Sequence, residues 1–192
     1  QNGLWIAAAA SNAIEIYELA SGDSLATLAP QSQNTEDVVF TNANFSSNGE
    51  YLIANGQGGA WVYKINQSNI SKSNLLGNIV ADEIRLAALN DDGTRFILSI
   101  GEGYLRPKLY ETTQQTEVTE FQLAEYQINL IGGQEYSIYA FSPNQEQAIL
   151  LRSGLYDDAR LEIFDLASGQ VENSVTYQNT IANALTISSD GS

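Results

Sequence analysis

Apolar residues along this chain fall into short runs of strand length that are separated by turn residues. The stretch from Asn42 to Ile65 shows the pattern most clearly. A first apolar run ends in the turn 46–49, Tyr51 to Ala54 forms a second run, and a Gly-rich bend at 56–59 leads into a third run, Ala60 to Ile65. Asn-Gly and Gly-Gly pairs between such runs are strong hairpin signals. The stretch therefore predicts three consecutive antiparallel strands.

The same pattern continues over the rest of the chain. Apolar positions alternate with a period of two, and the 3.6-residue period of an amphipathic helix is absent. We predict further strands at 4–10, 13–19, 24–28, 38–45, 74–80, 84–89, 95–100, 108–110, 118–123, 136–141, 148–151, 160–166, 171–177 and 182–187. Pro107 cannot donate to a strand ladder, so we expect it at a strand start. The pattern predicts an all-β fold.

Two motifs repeat along the chain. Four predicted strands end in a similar turn, at Phe45-Ser-Ser-Asn-Gly, Leu89-Asn-Asp-Asp-Gly, Phe141-Ser-Pro-Asn-Gln and Ile187-Ser-Ser-Asp-Gly. The segment Glu15–Gly22 matches Glu162–Gly169. A repeat of roughly 40–50 residues that contains four strands is typical of β-propeller blades.

The motifs Phe141-Ser-Pro-Asn, Ala148-Ile-Leu-Leu and Leu161–Gly169 resemble the WD-repeat and YVTN-type β-propeller superfamily. The resemblance implies four blade-equivalents of four antiparallel strands each, at 1–30, 37–80, 83–123 and 135–177. The Gly-His dipeptide of WD repeats is missing, and the Trp-Asp pair appears only in altered forms such as Phe164-Asp165. The chain is thus closer to a divergent or YVTN-like propeller.

The two chain ends read together as one blade. The segment 181–192 either starts a further blade or completes the first by pairing with the strand at 4–10, which would remove exposed edge strands. Four blades make a small ring. Half of an eight-bladed ring, formed by a homodimer or by a longer chain, is an equally open interpretation.

Composition limits the kinds of partner. Among 192 residues, 23 are acidic and 8 basic, giving a net charge of −15. Nucleic acids and anionic membranes are bound by clustered Lys and Arg, so neither is an expected partner. No apolar run approaches the ~20 residues of a membrane span. The chain contains no Cys and no His, so thiol and His-dependent nucleophilic catalysis are excluded.

Two local motifs have a structural explanation. Gly22-Asp23-Ser24-Leu25 matches the nucleophile motif of GDSL hydrolases, but that chemistry needs a His base, and the motif aligns with a blade turn. Asp91-Asp92 lies in the repeated strand turn, where Asp is favoured for its hydrogen bonds to the backbone. We interpret both as turns.

The better candidates lie in the bends between second and third strands and in the long linker 124–133. They share acidic, amide or Tyr side chains suited to a binding face: Gln57, Glu102, Tyr104, Tyr126, Tyr156, Asp157 and Asp158. Paired carboxylates such as Asp157-Asp158 also suit Ca²⁺, although no cofactor is required. The alternative explanation is a solvated loop, with recurring tyrosines such as Tyr63 acting only in packing.

We therefore expect a non-enzymatic scaffold that presents an acidic, Tyr-bearing face to a protein or peptide, with a cationic partner fitting best. One alternative is a lactonase-type or YVTN-type propeller that binds a small ligand or Ca²⁺ through carboxylates of several blades. The predicted inner strands are mostly apolar, which favours the scaffold. Another alternative is an architectural segment of a larger secreted or surface protein.

Overall fold

A computed structural model describes residues 4–10, 12–30, 38–46, 48–100, 106–112, 117–120, 136–153, 158–180, 185 and 187. The strands are β1 (Trp5–Ala10), β2 (Ala13–Glu18), β3 (Ser24–Leu28), β4 (Val39–Phe45), β5 (Tyr51–Lys64), β6 (Asn74–Leu89), β7 (Arg95–Ile100), β8 (Arg106–Glu111), β9 (Glu117–Glu120), β10 (Tyr136–Phe141), β11 (Gln147–Ser153), β12 (Ala159–Asp165) and β13 (Val171–Tyr177). All pairings between these strands are antiparallel. The predicted all-β class is confirmed.

Strand β5 is a hairpin, although its backbone is extended over 14 residues. A straight strand of that length would span about 45 Å. Its ends instead lie side by side, as two contacts show. The amide of Ile65 donates to the carbonyl of Glu50 at 2.7 Å, and Lys64 Nζ lies 5.3 Å from the centroid of the Tyr51 ring. The chain reverses at Gly58 and Gly59, which both have positive φ. The predicted bend at 56–59 is thereby confirmed.

Strand β6 is longer than either predicted strand that it contains. We predicted separate strands at 74–80 and 84–89, and the structure joins them into 16 continuous residues. The first part, up to Glu83, pairs with β5, and the second part, from Ile84, pairs with β7. The strand continues because residues 81–83 carry no turn signal and pass directly from one sheet to the next.

The strands form four successive groups. We name them sheet I (β1–β3), sheet II (β4, the two arms of β5 and the first part of β6), sheet III (the second part of β6 with β7–β9) and sheet IV (β10–β13). Sheets II and III are continuous through β6 and form one six-stranded sheet. Each of sheets II to IV has four strands, counting the two arms of β5 separately.

Apolar cores fill the spaces between consecutive sheets. One core packs Ile14 and Ile16 of sheet I against Trp61 of sheet II. A second packs sheet II against sheet III, and a third packs sheet III against sheet IV. Alternate residues of a strand enter different cores, so that Leu52 faces sheet I while Ile53 faces sheet III. This alternation follows from the period of two in an extended strand.

Four details differ from, or fall outside, the sequence predictions. The segment 66–72, which lies between two predicted strands, contains a 3₁₀ turn, Ile70–Lys72, because Ile70 is buried in the core between sheets I and II. Pro107 is the second residue of β8. Most of the predicted strand 182–187, and with it the closure of the first blade by the C-terminal segment, lies outside the described residues. Residues 121–123 and the linker 124–133 also lie outside them.

Candidate functional site

The turn that contains Asp91-Asp92 is a structural motif repeated in three sheets. In each copy a side-chain oxygen accepts the amide that opens the next strand: Tyr51 to Ser46 Oγ at 3.0 Å, Arg95 to Asn90 Oδ1 at 2.9 Å and Gln147 to Ser142 Oγ at 3.0 Å. The fourth turn residue has positive φ, at Gly49, Gly93 and Gln145. These turns lie at one end of the strands, and we call this end of the sheets the turn edge.

Asp92 serves this turn. Its Oδ1 accepts the amide of Thr94 at 2.9 Å and the Thr94 hydroxyl at 2.6 Å. Partial burial acts to raise the pKa of Asp92, but the hydrogen bonds from Thr94 outweigh it, so that the pKa lies below its usual value. The structural interpretation of this acidic pair is confirmed for Asp92.

The segment Gly22-Asp23-Ser24 is also a turn. The amide of Gly22 donates to the carbonyl of Glu18 at 2.8 Å, and Gly169 donates in the same way to Asp165 in sheet IV. Gly22 has a φ of 76° and Gly169 a φ of 69°, values that favour glycine. The interpretation of the GDSL match as a turn is confirmed.

The opposite end of the strands carries the bends between second and third strands, and we call this end of the sheets the bend edge. It comprises the bend of β5 and the connections from β7 to β8 and from β11 to β12. In β5 the bend needs glycine, because a Cβ at Gly56 would lie 2.0 Å from the carbonyl oxygen of Val39 and one at Gly59 would lie 2.2 Å from that of Ile79. Gln57, between these glycines, is exposed.

Asp158 occupies the corresponding position in sheet IV, immediately before β12. It is half-buried, and its Oδ1 accepts the amide of Asn179 at 2.7 Å. In sheet IV this bond joins the residue before β12 to the segment that follows β13. Asp158 is thus held in place, in contrast to a freely solvated loop residue.

The structure therefore locates two of the seven predicted binding residues, Gln57 and Asp158, at equivalent bends of sheets II and IV. Because these sheets repeat one strand order and one packing pattern, equivalent bends emerge at the same edge of the assembly. The remaining five, Glu102, Tyr104, Tyr126, Tyr156 and Asp157, lie outside the described residues and stay predictions.

A charged cluster beneath the bend of sheet IV was missed by the sequence analysis. Glu162 is fully buried, Arg152 is 6% exposed, and Arg152 Nη2 lies 2.5 Å from Glu162 Oε2. Arg160 Nε lies 3.2 Å from the other carboxylate oxygen of Glu162. Arg152 and Arg160 are direct cross-strand partners, and Arg160 follows Asp158 by two residues. The sequence signal that could have revealed this cluster is Glu162, a charged residue at an inward position of the otherwise apolar segment 161–164.

Polar side chains also connect neighbouring sheets close to the bend edge. Asn55 Nδ2 of sheet II donates to the carbonyl of Ile84 in sheet III at 3.2 Å. At the same position of sheet III, the buried hydroxyls of Ser99 and Tyr139 share a hydrogen bond across to sheet IV. These contacts fix successive bends relative to one another. Sequence patterns did not indicate them, because the partners are 29 and 40 residues apart.

Among the residues that the structure describes, no group of three or more carboxylate side chains is placed to hold a metal ion. The same residues include no helix with the length and apolarity of a membrane span.

Comparisons with known proteins match at the level of structure. Kuenenia stuttgartiensis hydrazine synthase aligns with 94% of this chain at 12% identity and a TM-score of 0.68. The Cps50 (Swd1) β-propeller domain of Myceliophteria thermophila aligns with 98% of this chain at 17% identity and a TM-score of 0.68, and the Dos1 propeller aligns with 98% at 14% identity and 0.64. The fold is that of a β-propeller. No protein-family model and no curated protein sequence matches the chain.

The propeller fold confirms the class that the repeats predicted. The chain spans 47%, 57% and 48% of the lengths of these three structures, or about half of each. One of them is named as an enzyme, so the fold alone does not decide between a scaffold and a catalyst.

Proposed function

We propose that this chain is a non-enzymatic scaffold that binds a protein or peptide through the bend edge of its propeller sheets. The observation that supports the proposal is the equivalence of Gln57 and Asp158. Residues chosen from sequence for their chemistry occupy the same bend in two sheets of one fold. Loops at one end of a rigid β scaffold are common sites of binding.

The chemistry of this edge suits a cationic partner. The connections that join β7 to β8 and β11 to β12 carry Glu102, Tyr104, Tyr156 and Asp157 in sequence, and the net charge of the chain is −15. An acidic surface raises the rate of encounter with a cationic partner. Tyrosine adds a large amphipathic contact area of the kind enriched in interface cores.

The edge strand β4 supports a scaffold over a ligand-binding propeller enzyme. In a propeller the first strand of each blade borders the central channel. The exposed residues of β4 are Val39, Thr41 and Asn44, which include no carboxylate. A channel site for Ca²⁺ or for acid–base chemistry would need carboxylates from several such strands.

Peptide selection tests the proposal. The 192-residue protein is used as bait for a displayed random-peptide library, and enriched peptides are measured by calorimetry. We expect enriched peptides to carry Lys or Arg beside an aromatic residue, with affinity falling as salt is raised.

A matched pair of variants then locates the binding edge. Gln57→Lys with Asp158→Asn adds two positive charge units at the bend edge, and the Asn keeps an acceptor oxygen for the amide of Asn179. Glu50→Gln with Glu146→Gln adds the same charge at the turn edge. We expect the first pair to weaken binding about tenfold and the second less than about threefold. Equal losses, or a library with no enriched peptide, would overturn the proposal.

A further inference from the structure

Each interior sheet has two apolar faces with different partners. We call the face toward the sheet before it the preceding face, and the other the following face. In sheet II the preceding face carries Trp61 and Tyr63, which pack against sheet I, and the following face carries Ile53 and Val62, which pack against sheet III. Sheets III and IV join in the same way. One type of interface, following face against preceding face, is thus repeated three times among the described residues.

On the preceding face of sheet I, Ile6 and Ala8 are exposed and Glu15 and Tyr17 are half-buried. Register places Ile6 opposite Tyr17, and Ala8 opposite Glu15, all on the face turned away from sheet II. Ile6 is 48% exposed, whereas its counterpart two sheets later, Phe96, is 2% exposed in an inter-sheet core. The hydroxyl of Tyr17 donates to Glu15, which raises the pKa of that tyrosine. This face carries residues of the kind that pack between sheets, but no described sheet lies against it.

The following face of sheet IV is its complement. Ile149, Leu161 and Ile163 are half-buried there, and Val175, paired with Leu161, is 43% exposed. Counterparts of Ile149 in the preceding sheets, Ile53 and Ile97, are fully buried in inter-sheet cores. The two end faces are therefore the two halves of the interface that the chain repeats internally.

The superposition on longer chains indicates what covers these faces. Nearly the whole chain superposes on about half of each of three longer chains, two of which are named as propellers. From the two chains that are named as propellers, we infer that the sheets follow the spacing of a ring of which one copy fills about half. At that spacing the end faces of one copy do not meet each other, whereas two copies supply the missing half.

We propose that a second copy of this chain completes the ring, with the following face of sheet IV of each copy packed on the preceding face of sheet I of the other. The two interfaces are identical and related by a twofold axis, which closes the assembly. Each interface repeats the packing found between consecutive sheets, from sheet I to sheet IV, within one copy. The sequence analysis left a homodimer open, and the complementary end faces give it a defined geometry.

Light scattering coupled to size exclusion tests the proposal on the 192-residue protein. We expect twice the 20.8 kDa chain mass, independent of loading concentration above the dissociation constant. A monomer at about 100 μM, as expected if other segments of a longer chain cover the faces, would overturn the proposal. Species that grow with concentration would also overturn it, because they indicate an open array.

Two single variants test the geometry of the interface. Ile6→Glu and Val175→Glu change side chains that are exposed in the single copy, so each should leave the fold and its circular dichroism unchanged. Each should raise the dimer dissociation constant at least tenfold. Leu76→Glu is the control, since Leu76 is 42% exposed but lies in an interior sheet. A dimer that survives both end-face substitutions, or that Leu76→Glu disrupts equally, would contradict the proposal.

Discussion

Replacing Gly93 by Ala should destabilise the protein much more than the same change at Gly49. The two glycines hold the same position in the repeated turn, with φ of 72° and 70°, and each amide donates to the residue three before it. They differ in surroundings. A Cβ on Gly93 would lie 2.0 Å from Cδ2 of Tyr51 in the neighbouring sheet, whereas a Cβ on Gly49 meets only the flexible end of Gln67, at 3.6 Å.

The expected magnitudes follow from two separate costs. An Ala in the left-handed region costs about 1–2 kcal/mol, and both variants bear this cost. Gly93→Ala must also displace the Tyr51 ring, which is half-buried and lies beneath the ammonium group of Lys64. Overpacking of this kind adds about 1–3 kcal/mol. We expect a loss of about 1–2 kcal/mol for Gly49→Ala and about 2–5 kcal/mol for Gly93→Ala.

Urea unfolding followed by tryptophan fluorescence measures both losses, since Trp61 is buried between sheets I and II. A double-mutant cycle isolates the contact. In the Tyr51→Ala background, Gly93→Ala should cost no more than Gly49→Ala does in the wild type. Equal losses for the two single variants, or a cost of Gly93→Ala that Tyr51→Ala leaves unchanged, would refute the packing of sheet II against the turn of sheet III.

Three further predictions concern buried or hydrogen-bonded polar groups. Tyr63→Phe should raise the free energy of unfolding by about 1 kcal/mol, because the buried Tyr63 hydroxyl has no hydrogen-bond partner; Phe164 shows that the position accepts Phe. Burial also raises the pKa of Tyr63 in the folded protein. Above about pH 10 the tyrosine of the unfolded chain ionises, so wild-type stability falls. The difference in unfolding free energy between Tyr63→Phe and the wild type, measured in urea titrations, should therefore widen above that pH. A difference in unfolding free energy that does not change with pH would contradict this. Glu162→Ala should cost about 3–5 kcal/mol in thermal and urea unfolding, since it removes the carboxylate that is paired with the buried Arg152; a cost below about 1 kcal/mol would refute a buried ion pair. Asp92→Asn should lower stability at pH 7 by less than about 1 kcal/mol, and the loss should shrink as the pH falls below the usual carboxyl pKa. A lowered pKa stabilises the fold above the usual carboxyl pKa, and this contribution is lost as the pH falls through the lowered pKa; the opposite trend would exclude the hydrogen bonds to Asp92 as its source.

Much of the fold was predictable because its signals are local. The alternation of apolar residues gave the strands, and turns such as 46–49 and 90–93 each close through hydrogen bonds within six residues. The union of residues 74–89 into one strand was not predictable in this way. Its two parts pair with different sheets, and the need to cross between them is a property of tertiary packing.

The candidate site was only partly predictable. A bend position such as Gln57 follows from glycines beside it, which local sequence shows. The cluster of Glu162 with Arg152 depends on which faces of two strands oppose each other, and the contact of Asn55 with Ile84 depends on a neighbouring sheet. Such contacts require the register and packing of distant segments. Single-sequence patterns do not contain that information.

The central claim is that this propeller binds a peptide or protein at its bend edge. The most direct test is backbone NMR of the isotope-labelled protein during titration with the selected peptide. We predict that shift changes concentrate at the bend edge, including the amides of Gln57 and Asp158. Changes centred on the turn edge, at residues such as Asn48 and Asn144, would contradict the claim.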